Sequence, residues 1–509
     1  MSLLLAMTVA VVLCLAIEAT AGDGPGRRPA DLAIRLAAYA LIVLFWFAFS
    51  WRPWLAASSG VLTVAVLHLV SRLKRAVVGE ALVFSDFALL PQVPRHPQLY
   101  YVPPVTSPRV AGPFLLGLAG VALWYRAEPS LLPDAAAGRL AAILALPLGL
   151  FAVVLAAARP PLARWLAGRF PNPDLDADIA RVGLPACLTV HTLRWRAERA
   201  VPVPVPVPAE AAARPGPAGD AVVVVIQLES FVDPERLGGP HLPLMDLIRA
   251  RAAEYGRLRV PAHGAYTMRT EHAVLTGRSP DDLGFGVFDP YLASGGHEPG
   301  SLARLARGHG YATTFVHPFH RDFFQRATVM EALGFQQLVM EADFSGAARA
   351  GPYVSDAAFG ARILAEVEAR GGPLFVFGVT MENHGPWKPG RLPGIDDPLA
   401  QYLHHVAGTG RMVEALVAGL EGRDATLCVF GDHAPALPNC RPGFGGTTTD
   451  YAIFRFGRHA DAPPRRVDRT AHDLGRRLRG ALAADEAIAI SPSVTLSSVA
   501  LSSVAVPRS

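Results

Sequence analysis

Three residues in this chain offer the mixed ligands of a divalent-metal site: Glu229, Asp432 and His433. Each closes an apolar run, Glu229 after AVVVVIQL and Asp432-His433 after ATLCVFG. Two carboxylates and one imidazole suit Mn2+ or Zn2+ better than Ca2+, which prefers oxygen alone. A hydroxyl could complete the set. The segment PAHGAYTMRTEHAVLTGRSP (261–280) supplies Thr267 and Thr270, where a glycine-containing loop turns helical near Met268. A hydroxyl at a helix start beside a divalent cation can act as a nucleophile near neutral pH, because cation and helix dipole both favour the alkoxide. Singly, each residue has an ordinary reading: Glu229 as a cap or ion-pair partner, Asp432-His433 as a surface turn, Thr267 as a loop threonine. Their conjunction, in the order acid, hydroxyl, Asp-His, is what points to chemistry.

The elements that must hold these residues are legible around them. AVVVVIQLES (221–230), YATTFVHP (311–318), PLFVFGVTMENH (373–384) and ATLCVFGDH (425–433) are continuous apolar runs, the mark of strands buried on both faces of a parallel sheet. Helical patterns alternate with them at 301–310, 357–372 and 409–422, with Gly308, Gly371 and Gly422 as the expected helix stops. The expectation is an α/β domain with a mainly parallel central sheet over 221–460. Ligands bind beyond the carboxyl ends of such strands, and Glu229, His317, Glu382-Asn383-His384 and Asp432-His433 all stand there. Glu382 either orients His384 or faces solvent; Glu271 and His272 support the helix that follows Thr267.

The first 158 residues are different. The chain of 509 residues is 51% hydrophobic and only 18% charged, below the roughly 25% usual for soluble domains. Apolar runs at 3–21, 36–51, 53–71, 110–125 and 140–158 predict a bundle of about five transmembrane helices. Residues 80–104, broken by prolines, suit a segment lying along the membrane surface. A connector spans 159–220, with VPVPVPVP at its heart. Residues 461–509 form one amphipathic helix and a low-complexity tail. A net charge of +4 with no basic stripe excludes a nucleic-acid partner. The four cysteines, Cys14, Cys187, Cys428 and Cys440, have no zinc-site spacing.

These motifs together resemble the lipoteichoic acid synthase and phosphoglycerol transferase branch of the alkaline phosphatase–sulfatase superfamily. IQLESF (226–231) resembles the first metal-ligand strand, GAYTMRTEHAVLTG (264–277) the nucleophile segment and FGDHAP (430–435) the second metal strand. The resemblance implies Thr267 as the nucleophile, with Glu229, Thr267, Asp432 and His433 as metal ligands. HPFHRDFFQR (317–326) and TMENHGPW (380–387) resemble substrate-binding segments, which implies substrate contacts for His317, Phe324, Arg326 and His384; the family often has tryptophan where Phe324 stands. RLKRAVVGEALVFSDFALLP (72–91) is similar to the family's loop between membrane helices. The sulfatase pattern Cys/Ser-x-Pro-x-Arg is absent at Thr267, and the few cysteines of the second half differ from the disulfide-bonded phosphoethanolamine transferases.

The implied function is a membrane-anchored transferase with one divalent metal, Mn2+ first and Zn2+ or Mg2+ as alternatives. It would move a glycerophosphoryl group from phosphatidylglycerol, the donor, to a glycan acceptor of the cell envelope through a phospho-threonine intermediate. Alternatives are a sulfatase-like phosphodiesterase, a phosphoethanolamine transferase, or a silent membrane-anchored binding protein. The implied location is the cytoplasmic (inner) membrane, multi-pass, with the catalytic half on the external, periplasmic side. Arg and Lys counted over the short loops favour the opposite orientation.

Overall fold

The computed structural model describes residues 2–20, 28–99, 108–157, 159–199, 220–437, 447–457 and 463–483. The VPVPVPVP stretch, the low-complexity tail and Cys440 lie outside the described residues. The first half is helical: α1 (Ser2–Thr20), α2 (Pro29–Ser50), α3 (Pro53–Val78), α4 (Pro108–Ala127) and α5 (Ala136–Ala157). Four of these, α1, α2, α3 and α5, are long and apolar enough to cross a membrane. The predicted bundle of about five thus takes the form of four such spans plus α4, whose Leu115, Leu116 and Leu123 side chains are exposed. Small residues bring α1, α2 and α3 together: Ala6, Ala10, Ala56 and Ala57 pack on Val43 and Phe47, which lets backbones approach where lipid gives no hydrophobic drive.

Three more helices follow: α6 (Pro160–Arg169), α7 (Leu175–Val182) and α8 (Leu184–Arg199). The expected connector at 159–220 is therefore helical through Arg199. Its apolar side chains, among them Leu166, Phe170, Ile179 and Cys187, bury against Leu82 and Val83 from the first half and Phe285 and Phe288 from the second. The segment 80–99 forms two 3-10 turns, Phe84–Gln92 and Pro97–Leu99. The segment lies between the helices and the second half, with Leu99 buried on Phe319 and Phe323 while Phe87 and Leu90 remain exposed.

The second half contains β1 (Val222–Leu228), α9 (Pro243–Arg251), β2 (Glu254–Arg259), α10 (Thr267–Thr276), α11 (Pro290–Ser294), α12 (Leu302–Gly308), β3 (Ala312–Val316), α13 (Arg326–Leu333), β4 (Gln337–Val339), β5 (Arg349–Ala350), β6 (Tyr353–Val354), α14 (Asp356–Glu368), β7 (Leu374–Val379), α15 (Pro398–Leu420), β8 (Ala425–Gly431), β9 (Thr448–Arg455), β10 (Arg465–Arg466), β11 (Arg469–Thr470) and α16 (Ala471–Ala483). The strand order is β10-β2-β9-β8-β1-β7-β3-β4, with β11 also on β2. The five strands from β8 to β4 are parallel; β9 runs antiparallel to both its neighbours. β1 is central and buried on both faces. Val222, Val224 and Ile226 face α9, α14 and α15. Val223 and Val225 face α10, α12, α13 and α16. That is why its sequence reads as an unbroken apolar run. β10, β11 and α16 lie past residue 460 yet pair with β2 or pack on α10, so the sheet domain extends beyond its expected end. α12 ends at Gly308 as expected and α14 at Glu368, three residues before Gly371; the left-handed glycines that follow these two helices are Gly310 and Gly372, while Gly422 follows α15 as expected.

Candidate metal centre and surrounding cavity

β1 and β8 lie side by side in parallel, with Leu228 paired to Gly431. The residues just beyond them therefore meet. Ligand atoms of Glu229, Asp432 and His433 all lie within 4.8 Å of one another, and all three residues are buried. Gly431 permits this closeness, since a Cβ there would stand 2.0 Å from the Phe231 carbonyl oxygen. Ser230 adopts φ 52°. Its N–H donates to Asp432 Oδ1 at 2.8 Å and its hydroxyl to Glu229 Oε1 at 3.0 Å.

The remaining electron pairs face one another. His433 Nδ1 lies 3.1 Å from the Ala434 carbonyl, which can only accept, so Nδ1 carries the proton and Nε2 is bare. That Nε2 lies 3.4 Å from Glu229 Oε1 and 3.4 Å from Asp432 Oδ2. Asp432 Oδ2 is buried without a hydrogen-bond partner among the described residues. Burial, and then the Asp432 charge, push the Glu229 carboxyl well above the usual carboxylate range. Three convergent ligand groups whose negative charge is left uncompensated by burial fit a divalent cation, which would take the place of the proton that Glu229 otherwise retains, and these side chains could hold one.

Both candidate hydroxyls lie on α10, but only one faces the cavity. Thr270 Oγ1 donates to the Asp432 carbonyl at 2.7 Å and is fully buried. Thr267, the first residue of α10, lines a cavity of about 490 Å³ together with Glu229, His433, His317, Phe324, Arg326 and His384. All eight predicted site residues are thus near this cavity; Asp432 alone lies just behind its wall. The opposite wall is apolar and comes from the first half: Val70, Leu73, Val77, Leu89, Leu90 and Val93.

Arg326 opens α13 and is 2% exposed. Its Nη2 and Nε donate to Glu271 at 2.7 and 3.3 Å, and its Nη1 to His317 Nε2 at 2.7 Å. Burial works against its charge, but Glu271 beside it holds the guanidinium firmly protonated. His317 Nδ1 donates to the Val379 carbonyl at 3.0 Å, so both its ring nitrogens are engaged. Burial, then the Arg326 charge, keep it neutral, well below the ordinary histidine value. His384 Nδ1 lies 2.6 Å from the Gly385 carbonyl, which leaves Nε2 as an acceptor. Burial lowers its pKa to about 4. Phe324 is held at φ 55°, its ring 5.8 Å from the Arg326 guanidinium carbon.

Glu382 neither orients the His384 ring nor faces solvent. It is buried, accepts from His405 Nδ1 at 2.9 Å and from the Asp356 N–H at 2.6 Å. The main-chain carbonyls of Glu382 and His384 are instead fixed by Arg391, at 2.7 and 2.6 Å. Ser230, Arg391 and the left-handed Tyr266 before Thr267 were not singled out from sequence. Only a residue-specific left-handed signal could have found Ser230 and Tyr266, and neither residue is one that usually carries it.

The sulfatase family model matches residues 221–464. A capsular polysaccharide biosynthesis protein, RkpI of Rhizobium meliloti (strain 1021), is 32% identical over 475 residues, covering 89% of this chain and 87% of that protein. Among solved structures, the integral membrane protein lipooligosaccharide phosphoethanolamine transferase A (EptA) from Neisseria meningitidis superposes with a TM-score of 0.51 at 13% identity, over 89% of this chain and 93% of that one. The lipoteichoic acid synthase LtaP from Listeria monocytogenes is 18% identical with a TM-score of 0.42, over 55% of this chain and 76% of that one. The EptA likeness extends across both halves, helices and sheet domain alike. With Glu229, Asp432 and His433 gathered at the ends of two strands beside Thr267, a sulfatase model matching 221–464 and a relative that spans most of its length, the chain carries a sulfatase-family domain and belongs to one family with the capsular polysaccharide biosynthesis protein RkpI.

Proposed function

We propose that this protein is a membrane-anchored phosphoglycerol transferase that moves a glycerophosphoryl group from phosphatidylglycerol to a hydroxyl of a cell-envelope glycan. One observation carries the reading. A single cavity joins an apolar wall, built by α3 and the 84–93 turn, to Thr267, Glu229 and His433. Such a cavity suits a substrate that is part hydrocarbon and part phosphate. The relative named for capsular polysaccharide biosynthesis supports a glycan as acceptor.

Glu229, Asp432 and His433 would hold a divalent ion, Mn2+ by our reading, with the Thr267 hydroxyl as a fourth ligand. When bound, the ion supplies positive charge that acidifies this hydroxyl and offsets charge on the phosphoryl oxygens. Thr267 Oγ attacks phosphorus, the bond from phosphorus to the diacylglycerol oxygen breaks, and diacylglycerol leaves with a proton. The glycerophosphoryl group is then esterified to Thr267. A glycan hydroxyl attacks in turn and restores the Thr267 hydroxyl. Three of the five Arg326 N–H groups are engaged by Glu271 and His317; the other two can meet equatorial oxygens. His384 Nε2, bare and neutral, can take the proton of the incoming hydroxyl. His317 acts at one remove, by fixing Arg326. The catalytic half works on the external side of the cytoplasmic membrane, and a reporter enzyme fused after residue 457 would test that side.

The test of the reaction is the intact mass of full-length protein after incubation with phosphatidylglycerol and Mn2+. A glycerophosphoryl adduct on the native protein and none on Thr267→Ala is the expected result. Diacylglycerol release without transfer to any glycan would favour a hydrolase. Neither adduct nor release would overturn phosphatidylglycerol as donor.

A further inference from the structure

The segment that carries Thr267 is gripped by the membrane half. Tyr266, directly before it, sits at φ 63°, ψ 43°, a left-handed conformation that a bulky residue keeps only when its surroundings over-determine it. Its hydroxyl donates to Asp86 Oδ1 at 2.5 Å. Arg269, two residues after Thr267 and 7% exposed, meets Glu80 at two points: Nη1 to Oε2 at 2.7 Å and Nη2 to Oε1 at 3.1 Å. Lys74, in the last turns of α3, ties the two carboxylates together, at 3.0 Å from Glu80 and 2.8 Å from Asp86, and donates to the Ala81 carbonyl at 2.8 Å. The Lys74 and Arg269 cations also lie over the Tyr266 ring, 4.9 and 4.2 Å from its centroid. The loop passes so close to the end of α3 that a Cβ on Gly264, at φ 65°, would stand 3.3 Å from the Val77 carbonyl oxygen and 2.9 Å from Ala436 Cβ.

We propose that Lys74, Glu80 and Asp86 are positioning residues for the nucleophile, acting through Tyr266 and Arg269. Thr267 opens α10, so the backbone angles of Tyr266 set where its hydroxyl points. Asp86 and the two stacked cations hold Tyr266 left-handed; Glu80 fixes the first turn of α10 from its other side. None of the three belongs to the metal cluster; Lys74 and Asp86 line the cavity beside Thr267, and the part proposed for them is to hold Tyr266 and Arg269. Thr267 is therefore aimed only while the catalytic half is seated on the membrane half. This rests on the reading of Thr267 as nucleophile and goes beyond it by naming what makes it competent.

The test uses the full-length protein in nanodiscs with the variants Glu80→Gln and Asp86→Asn, and Glu80→Asp as the conservative control. A misaimed reacting atom costs about 10²-fold in rate, so single-turnover adduct formation at saturating phosphatidylglycerol should fall by about 30- to 100-fold. The donor KM and the Mn2+ dissociation constant should stay within about threefold of native, and Glu80→Asp should recover part of the rate. Hydrogen exchange of amides 264–272 should quicken while that of the central strands does not. The same variants are assayed on bis(4-nitrophenyl) phosphate, which has no acyl chains. If phosphatidylglycerol is the wrong donor, the native protein still cleaves this ester and the variants should slow it equally. Native rates and native exchange in both variants would overturn the proposal. So would rate loss that follows loss of Mn2+ binding. If the native protein acts on neither substrate, the exchange readout alone decides.

Discussion

Replacing Glu271 by glutamine isolates what holds Arg326 in place. The guanidinium is 2% exposed and Glu271 0%, so neither has water to replace a lost partner. In Glu271→Gln the Tyr291 hydroxyl, 2.6 Å from Glu271 Oε1, can keep its acceptor. The same oxygen keeps Arg326 Nε at 3.3 Å, but the amide NH2 would stand where Oε2 now accepts from Arg326 Nη2 at 2.7 Å, and the carboxylate charge is gone. A buried charge left unpaired costs about 3–5 kcal/mol. At about 2–4 °C per kcal/mol for a domain of this size, the unfolding midpoint should drop by about 6–20 °C. Arg326→Met should cost less, because Glu271 keeps the Tyr291 hydroxyl as a donor. The double variant Glu271→Gln/Arg326→Met buries no charge, so it should be more stable than the two single losses summed, by about 2 kcal/mol. Its transfer rate should nonetheless be about 10²–10³-fold below native, because the N–H groups aimed at the phosphoryl oxygens are gone. Differential scanning fluorimetry and single-turnover adduct formation read the two effects. Additive stability losses, or a double variant that transfers at the native rate, would refute the argument.

Thr270→Val should lose about 1 kcal/mol with its bond to the Asp432 carbonyl yet still form an adduct, whereas Thr267→Val should form none; tryptic mapping of the modified peptide separates them. Mn2+ at about 100 times its dissociation constant should stabilise the native protein by about 2.7 kcal/mol, seen as a higher midpoint that EDTA reverses. Glu229→Gln should abolish that shift. Since His317 and His384 are both held below the ordinary value of 6.5, the unfolded chain binds protons that the folded one refuses. Their contribution to stability should be full above about pH 6.5 and fall as pH drops towards 4, by up to about 1.4 kcal/mol per unit for each histidine, against the opposite slope of the raised Glu229 carboxyl. His384→Gln should flatten that slope in metal-free urea titrations.

The sheet was legible where burial on both faces forces continuous apolar runs: β1, β3, β7 and β8 lie within the stretches read from sequence. The site was legible for the same reason, because a parallel strand pair must end with its next residues side by side, as Glu229 and Asp432 do. The edge strands were not. β2 alternates exposed and buried positions in EYGRLR, and β10 and β11 are two residues each, too short to leave a periodic signal. α15 begins at Pro398, eleven residues before the pattern read at 409–422, since His404 and His405 interrupt its apolar stripe. Glu382 could not be assigned because its partner His405 is 23 residues away on another element. The Lys74, Glu80 and Asp86 network was out of reach as well, since it depends on how two halves dock rather than on any local pattern.

The pairing of β1 with β8 also sets a schedule for the chain's own synthesis. Val222 meets Ala425 in the register, so about two hundred residues must be made before the central strand gains its second neighbour. Pairings so distant along the chain form slowly, because loop closure must precede any reward. Until then β1 is an apolar strand with one open edge, a state prone to misassociation. The same delay means that Glu229 waits for Asp432 and His433, and no cation can be gripped by all three on an unfinished chain. The nascent protein is chemically inert by topology, and it becomes reactive only once its last third has joined the sheet.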